Sequence, residues 1–262
     1  MKASTRKRLH FLSPAWWGPG VVMAVVIGFA WHWAQVRWPY LLAPLSDIFG
    51  LLRDEPRFFL TQAWVTLREA LIGLGIGFVV AFVLAILISE LPIARRAIMP
   101  VAVVLNVTPL VAIAPALVVA FGFGPAPKLI LTSLICFFPI LINTATGLRT
   151  VPKQVLQVYE TVNASRWEVL RYLRIPGSLP YVFAALQIVF PLSIIGAVVA
   201  ELNAAGSNAG LGTTIQVATS LSRLSTVWAA IFVLALMGSL LLLFVTIVER
   251  RVLHWQESRQ NT

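Results

Sequence analysis

An all-α membrane protein is the fold class this sequence predicts, and three observations lead there. Of 262 residues, 59% are hydrophobic and 11% charged, with a mean hydropathy of +0.87, far outside the range of soluble globular domains. The apolar residues fall in several long runs separated by short polar stretches, and about 20 such residues make one helical crossing. In lipid only helices or closed barrels satisfy their own backbone, and continuous runs of this length point to helices. One polytopic domain with about six transmembrane helices is expected over residues 16–248, between a basic tail at 1–15 and a second tail at 249–262.

The first span, 16–36, follows a basic start and lacks a small-residue cleavage pattern, so it reads as a retained anchor. Its His32 is expected to be a hydrogen-bonded packing residue. The second, 65–90, carries Gly73, Gly77, Ala81 and Ala85 at every fourth position, a small-residue ladder that lets another helix approach closely. The third, 97–121, is interrupted by Pro100, Pro109 and Pro115, with Asn106 and Thr108 beside the middle one. Each proline removes a backbone donor and frees a carbonyl, so this helix is either kinked to shape the bundle or lines a substrate path. The fourth, 129–148, repeats the theme with Pro139 and Asn143, and its Cys136 reads as packing. The fifth, 179–202, holds Pro191 and ends at Glu201, which opens the flexible stretch ELNAAGSNAGLG. That stretch either folds back into the bundle or is an ordinary turn. The sixth is 226–248.

Orientation follows from the basic residues, which concentrate in cytoplasmic segments. With the amino terminus inside, the inner segments hold fourteen Lys and Arg, and the outer ones hold five: Arg37, Arg53, Arg57, Lys128 and Arg223. Both termini are therefore expected in the cytoplasm. The net charge of +10 is then a topology signal, and no nucleic-acid partner is expected.

This orientation places residues 149–178 in the cytoplasm. Trp167, Leu170 and Leu173 recur every three residues and can share a face, while Arg166, Glu168, Arg171 and Arg174 mostly project elsewhere. Ser165 is placed to cap the helix, with Glu168 completing a capping box. Pro176 is expected to end this helix and Pro180 to start the next span. Such an amphipathic helix can lie on lipid headgroups or seat apolar anchors in a partner's groove.

The passage NASRWEVLRYLRIP resembles the EAA loop of ABC importer permeases, a helix–turn–helix that docks on the ATPase. In that alignment Asn163 falls at the family's glycine, Leu173 at its isoleucine, Ile175 at its leucine and Pro176 at its proline. Gln157, Val158 and Tyr159 stand where Glu-Ala-Ala would be, and Glu160 is the nearby acidic residue. Asn is the best substitute for glycine where a left-handed backbone is needed. The resemblance covers residues 45–256, through TLREALIGLGIGF, RRAIMPVAVVLNVTPLVAIAPALVVAFGFG, FFPILINTATGL, AELNAAGSNAGLG and VERRVLHW. It is strongest to importers of nitrate, taurine and other sulfonates, and certain vitamin precursors.

The resemblance implies the type I ABC importer permease fold in a bacterial inner membrane, a homodimer with two cytoplasmic ATPases, and an external solute-binding protein. It implies ATPase coupling through Gln157, Glu160, Asn163, Ala164, Ser165, Arg166, Trp167, Leu170, Arg171, Leu173 and Pro176. A translocation path is expected along Asn106, Thr108, Pro109, Pro115, Asn143 and Glu201. No GxxxxGK[ST] phosphate loop occurs in the chain, so ATP and Mg are expected on the partner, with no cofactor, metal or catalytic residue here. A secondary transporter is the alternative class. It would usually carry paired ion-coupling carboxylates at the midplane, whereas Glu201 and Glu69 lie at span ends.

Overall fold

The computed structural model describes residues 14–203 and 209–254, with side chains from Gly18 onward. The elements are α1 (Pro14–Arg37), α2 (Leu45–Asp54), α3 (Pro56–Glu90), α4 (Pro92–Val107), α5 (Leu110–Phe121), α6 (Pro125–Gly147), α7 (Lys153–Thr161), α8 (Arg166–Val169), a π-helical turn (Leu170–Arg174), α9 (Ile175–Asn203), α10 (Leu211–Ser220) and α11 (Leu224–Val252). No strand occurs among the described residues. Gly18–Arg37, Pro56–Glu90, Pro125–Gly147, Arg166–Asn203 and Leu224–Val252 are long and apolar enough to cross a membrane, and the pair α4 and α5 makes a sixth candidate. Most of the expected tails, at 1–13 and 255–262, lie outside the described residues, while residues 249–252 prolong α11.

The third expected span is not one helix. α4 and α5 meet at 99° because Thr108, the residue before Pro109, takes an extended backbone at φ −68 and ψ 130. The proline ring disfavours the helical region for the residue preceding it. Pro100 and Pro115 stay inside their helices, so of the three prolines only the middle one breaks the span.

Two compact units make up the chain. In the first, residues 14–56 and 218–229, two indoles pin the connection after α1. Trp31 Nε1 donates to the Ala43 carbonyl at 3.1 Å, and Trp228 Nε1 donates to Leu41 at 3.0 Å. Their rings meet edge to face with centroids 4.6 Å apart. His32 does not pack as expected: it is exposed, because α1 has no buried residue in its apolar window and turns its sides to whatever surrounds the chain.

The second unit, residues 57–203, 209–217 and 230–254, is built around α3, α6 and α9. Burying apolar surface gains little between helices already in lipid, so close backbone packing and hydrogen bonds hold them. The ladder provides that packing. A methyl group on Gly77 would stand 2.7 Å from the Ser133 carbonyl, and one on Gly73 2.6 Å from Thr132 Cβ. Gly196 of α9 meets Thr132 from the other side. Cys136 is fully buried with Sγ 3.8 Å from the Val189 carbonyl, the packing role expected of it. Leu74, Ala81, Ile88, Ile140 and Leu148 complete the same core.

Candidate functional site

One end of the second unit, where α3 stops and α6 ends, carries residues 148–174 and is called the loop end below. α7 closes there in a Schellman motif: Asn163 N–H donates to the Glu160 carbonyl and Ala164 N–H to Tyr159, each at 3.0 Å. Asn163 occupies the left-handed position with φ 52, as the alignment with a family glycine required. Ser165 then caps α8. Its N–H donates to Glu168 Oε2 at 2.7 Å, and Glu168 N–H donates to Ser165 Oγ at 3.3 Å, so the capping box read from the sequence is present.

Pro176 does not stop this helix. The chain runs from Arg166 to Asn203 as one span of 38 residues, and Pro180 lies inside α9. The π-turn makes this possible: Ile175 N–H reaches back five residues to the Leu170 carbonyl, and the register shift places Pro176 in the first turn of α9, where a missing N–H costs little. The turn also re-aims the side chains. Leu170 is 5% exposed and belongs to the unit's core, whereas Trp167 is 64% and Tyr172 62% exposed. Trp167, Leu170 and Leu173 therefore do not form one outward face. The reachable surface consists of Trp167, Arg171 and Tyr172, with the Arg171 guanidinium 5.7 Å from the Tyr172 ring centre. Gln157, Val158, Glu160 and Arg166 are exposed on the same segment, and Ala164 and Leu173 are half-buried. Arg174 fixes the segment to α3 through an ion pair with Glu90 at 2.5 Å.

At the far end, where α3 and α6 begin and α9 finishes, Glu201 is fully buried. Thr66 Oγ1 donates to its Oε1 at 2.7 Å, and Gly212 N–H donates to its Oε2 at 2.6 Å. Thr66 in turn accepts from Leu211 N–H at 2.9 Å, and Gln62 Oε1 accepts from Gly210 N–H at 2.6 Å. Three successive backbone donors of the returning chain are thereby tied to α3 and α9. Of the two readings of ELNAAGSNAGLG, the described residues 209–212 take the one that folds back; residues 204–208 lie outside the described residues. Gly212 is required by the close approach: a methyl group there would stand 2.7 Å from the Val198 carbonyl and 2.8 Å from Glu201 Oε2.

Lys128 is the clearest departure from the sequence reading. Placed there in an outer loop, it lies inside α6 at 3% exposure, and its Nζ pairs with Glu69 Oε1 at 2.8 Å. α6 starts at Pro125, four residues before the expected span, and this buries the ammonium. Glu69 Oε2 is buried without a hydrogen-bond partner among the described residues. The Lys128→Ala change strands the Glu69 carboxylate, and breaking a buried pair costs about 3–5 kcal/mol. The purified protein is expected to melt correspondingly earlier, while Lys128→Met with Glu69→Leu recovers most of the loss. A single variant that melts like the parent would show that the pair contributes nothing. Gln62 and Thr66 were missed in the sequence, and Glu69 was noted there only as a carboxylate at a span end. Extending the ladder Gly77, Gly73, Ala70 toward the amino terminus reaches Thr66 and Gln62 on the same face, which is the signal that could have found them.

The remaining path residues are dispersed. Asn106 and Pro109 are exposed and Thr108 half-buried at the α4–α5 bend, where Thr108 Oγ1 donates to Val104 at 2.7 Å; Pro115 is exposed on α5. Asn143 lies in the half of α6 nearer the loop end and donates to its own helix at Pro139 at 2.8 Å. None of these joins the hydrogen bonds at Glu201 among the described contacts.

No group of three or more His, Cys, Asp or Glu is placed to hold a metal among the described residues. The buried polar side chains hold helices together, and one exposed segment is mounted on the end of a span. Together with five or six candidate spans, that arrangement fits a membrane permease. Residues 73–254 match the family described as the inner membrane component of binding-protein-dependent transport systems, and the chain belongs to that family: it is the transmembrane permease subunit of an ABC importer for a small solute. It is 31% identical to a formylaminopyrimidine transport permease protein of Halalkalibacterium halodurans, over 84% of this chain and 88% of that one. It is 34% identical to a riboflavin transport system permease protein of Chloroflexus aurantiacus, over 63% of this chain and 60% of that one. A taurine transport system permease protein of Escherichia coli is 30% identical over 63% and 59%. In fold the chain is similar to a permease chain of an inward-facing methionine ABC transporter, with a TM-score of 0.66 at 16% identity over 76% of this chain and 98% of that one. The secondary-transporter alternative receives no support from any of these.

Proposed function

We propose that this permease works as a homodimer in a bacterial inner membrane, with both termini in the cytoplasm. Each loop-end segment seats on one of two cytoplasmic ABC ATPases, which bind the ATP and Mg, and an external binding protein delivers solute at the far end. The orientation rests on the basic residues: the inner segments hold fourteen Lys and Arg, and five less the helical Lys128 leaves four outside. The bend between α4 and α5 leaves Asn106 and Val107 exposed, and Val119 is 88% exposed. A second copy facing this surface would enclose a path along Asn106, Thr108, Pro109, Pro115 and Asn143.

The observation that carries the mechanism is the continuous helix from Arg166 to Asn203. It is roughly 55 Å long at 1.5 Å per residue and joins the exposed Trp167 surface to the Glu201 carboxylate. ATPase closure pulls on Gln157 to Tyr172, with Leu170 and Leu173 bracing that surface from beneath. The Arg174–Glu90 pair obliges α3 to follow, and the displacement reaches the hydrogen bonds that hold residues 210–212. Such a switch is a rigid-body change biased by a partner. No step of it requires catalysis by this chain.

For substrate, a small heterocyclic vitamin precursor is the reading best supported, by the relative named for formylaminopyrimidine transport that aligns over 84% of this chain. The test is to purify the protein with its native partners and to measure ligand binding by the co-purifying binding protein. A 2:2 complex with an ATPase, and a binding protein that holds a pyrimidine-type heterocycle, are expected. Recovery without any ATPase would sink the coupling mechanism, and a binding protein selective for a sulfonate or nitrate would overturn the substrate assignment alone.

A further inference from the structure

Two arginines at the loop end lack a carboxylate. Arg95, in the first turn of α4, and Arg149, just beyond α6, line one cavity of about 280 Å3 together with Ile88, Met99, Ile142 and Ala145. Neither arginine has an ion pair among the described residues, because Glu90 is taken by Arg174 at 2.5 Å. Partial desolvation, then the charge of Arg95, then that of Arg174, hold the pKa of the exposed Arg149 below its ordinary value.

Arg149 is held in place. Its Nη2 donates at 2.6 Å to the carbonyl of Ile88, two residues before the end of α3 at Glu90. That carbonyl would ordinarily receive the N–H four residues on, but residue 92 is proline. Arg149 therefore caps α3, and with five donors on the guanidinium it keeps others for the cavity. The cavity is amphipathic. Ile88, Met99, Ile142 and Ala145 belong to the apolar runs of three spans, while Arg95 and Arg149 stand at the ends of those runs.

We propose that Arg95 and Arg149 form a binding site for the phosphate of an anionic phospholipid, whose glycerol and first methylenes rest on the half-buried Met99 and Ile142. Guanidinium forks match phosphate oxygens in geometry and charge, and basic pockets between spans at this depth take lipid headgroups. A free anion would satisfy the arginines and leave the apolar wall uncovered. Only the choice of leaflet rests on the orientation proposed above; the binding does not.

The assembled transporter, purified from membranes containing phosphatidylglycerol and phosphatidylcholine, is examined by native mass spectrometry for retained lipid. One phosphatidylglycerol per copy is expected, and Arg95→Gln, which removes no side-chain hydrogen bond among the described residues, lowers its retention roughly fivefold. Arg149→Gln lowers it at least as much. Arg96→Gln removes a neighbouring charge that is exposed, as Arg95 and Arg149 are, but does not line the cavity, and leaves retention unchanged. Equal retention by Arg95→Gln and the parent would overturn the site. An equal loss in Arg96→Gln would reduce it to diffuse surface charge, and displacement of the lipid by millimolar inorganic phosphate would make it a free-anion site. Loss of ATP-driven uptake with lipid retention unchanged would instead point to an acidic partner surface at these arginines, and would also overturn it.

Discussion

Replacing Trp167 with alanine is expected to lower ATP-driven uptake at least about tenfold, the effect of some 1.4 kcal/mol of lost docking, while the permease still inserts and dimerises. Trp167 is 64% exposed on the segment proposed to meet the ATPase. Buried tryptophans at interfaces are frequent hot spots worth about 2 kcal/mol or more on truncation. Arg171→Glu is expected to act in the same direction by reversing the charge beside Tyr172. The control is Leu170→Ala. At 5% exposure in the core, that change leaves a cavity and costs about 2–5 kcal/mol of stability. Uptake, ATPase stimulation and melting temperature measured together separate the two classes. Trp167→Ala should lose coupling at an unchanged melting temperature, whereas Leu170→Ala should melt early. If Trp167→Ala transports normally, the docking surface lies elsewhere on the segment.

That contrast shows what the sequence could carry. Helices, spans, the Gly73 to Ala85 ladder, the left-handed Asn163 and the Ser165–Glu168 capping box were legible because each depends on residues within a few positions of one another. The direction of Leu170 was not, because the π-turn is a register shift with no local composition signal, and it both rotates the helix face and lets Pro176 through. The same limit applies at Thr108 and Lys128. Three prolines in one run predicted disturbance, but which of them turns the chain by 99° depends on how far its neighbours pack. A lysine four residues into a helix reads as a loop residue until its partner, Glu69, arrives from 59 positions away. Glu201 was visible as a carboxylate at a span end, but its role needed Thr66, 135 residues distant.

At Glu201 the expected effect reaches stability as well as uptake. Glu201→Ala leaves the Gly212 N–H buried without its acceptor, which costs about 1–3 kcal/mol, and returns the Thr66 hydroxyl to the longer bond it can make to the Gln62 carbonyl at 3.3 Å. Because Leu211 N–H leans on the same Thr66 hydroxyl, the chain at 210–212 loses its anchorage to α9 and half of its hold on α3. Uptake is expected to fall at least about tenfold, with the melting temperature reduced. Glu201→Gln keeps one acceptor oxygen but turns an NH2 toward the other donor, so it should fall between parent and alanine variant. The readout specific to the latch uses the fact that the chain has one cysteine, Cys136, which is fully buried. Leu211 is also fully buried, so a Leu211→Cys thiol should resist an impermeant maleimide with Glu201 intact and react readily with Glu201→Ala. Protection in both backgrounds would mean that packing, not the carboxylate, holds the returning chain. In that case the long helix from Arg166 would have to act on the far end through its apolar contacts with Ala70 and Met237 rather than through hydrogen bonds.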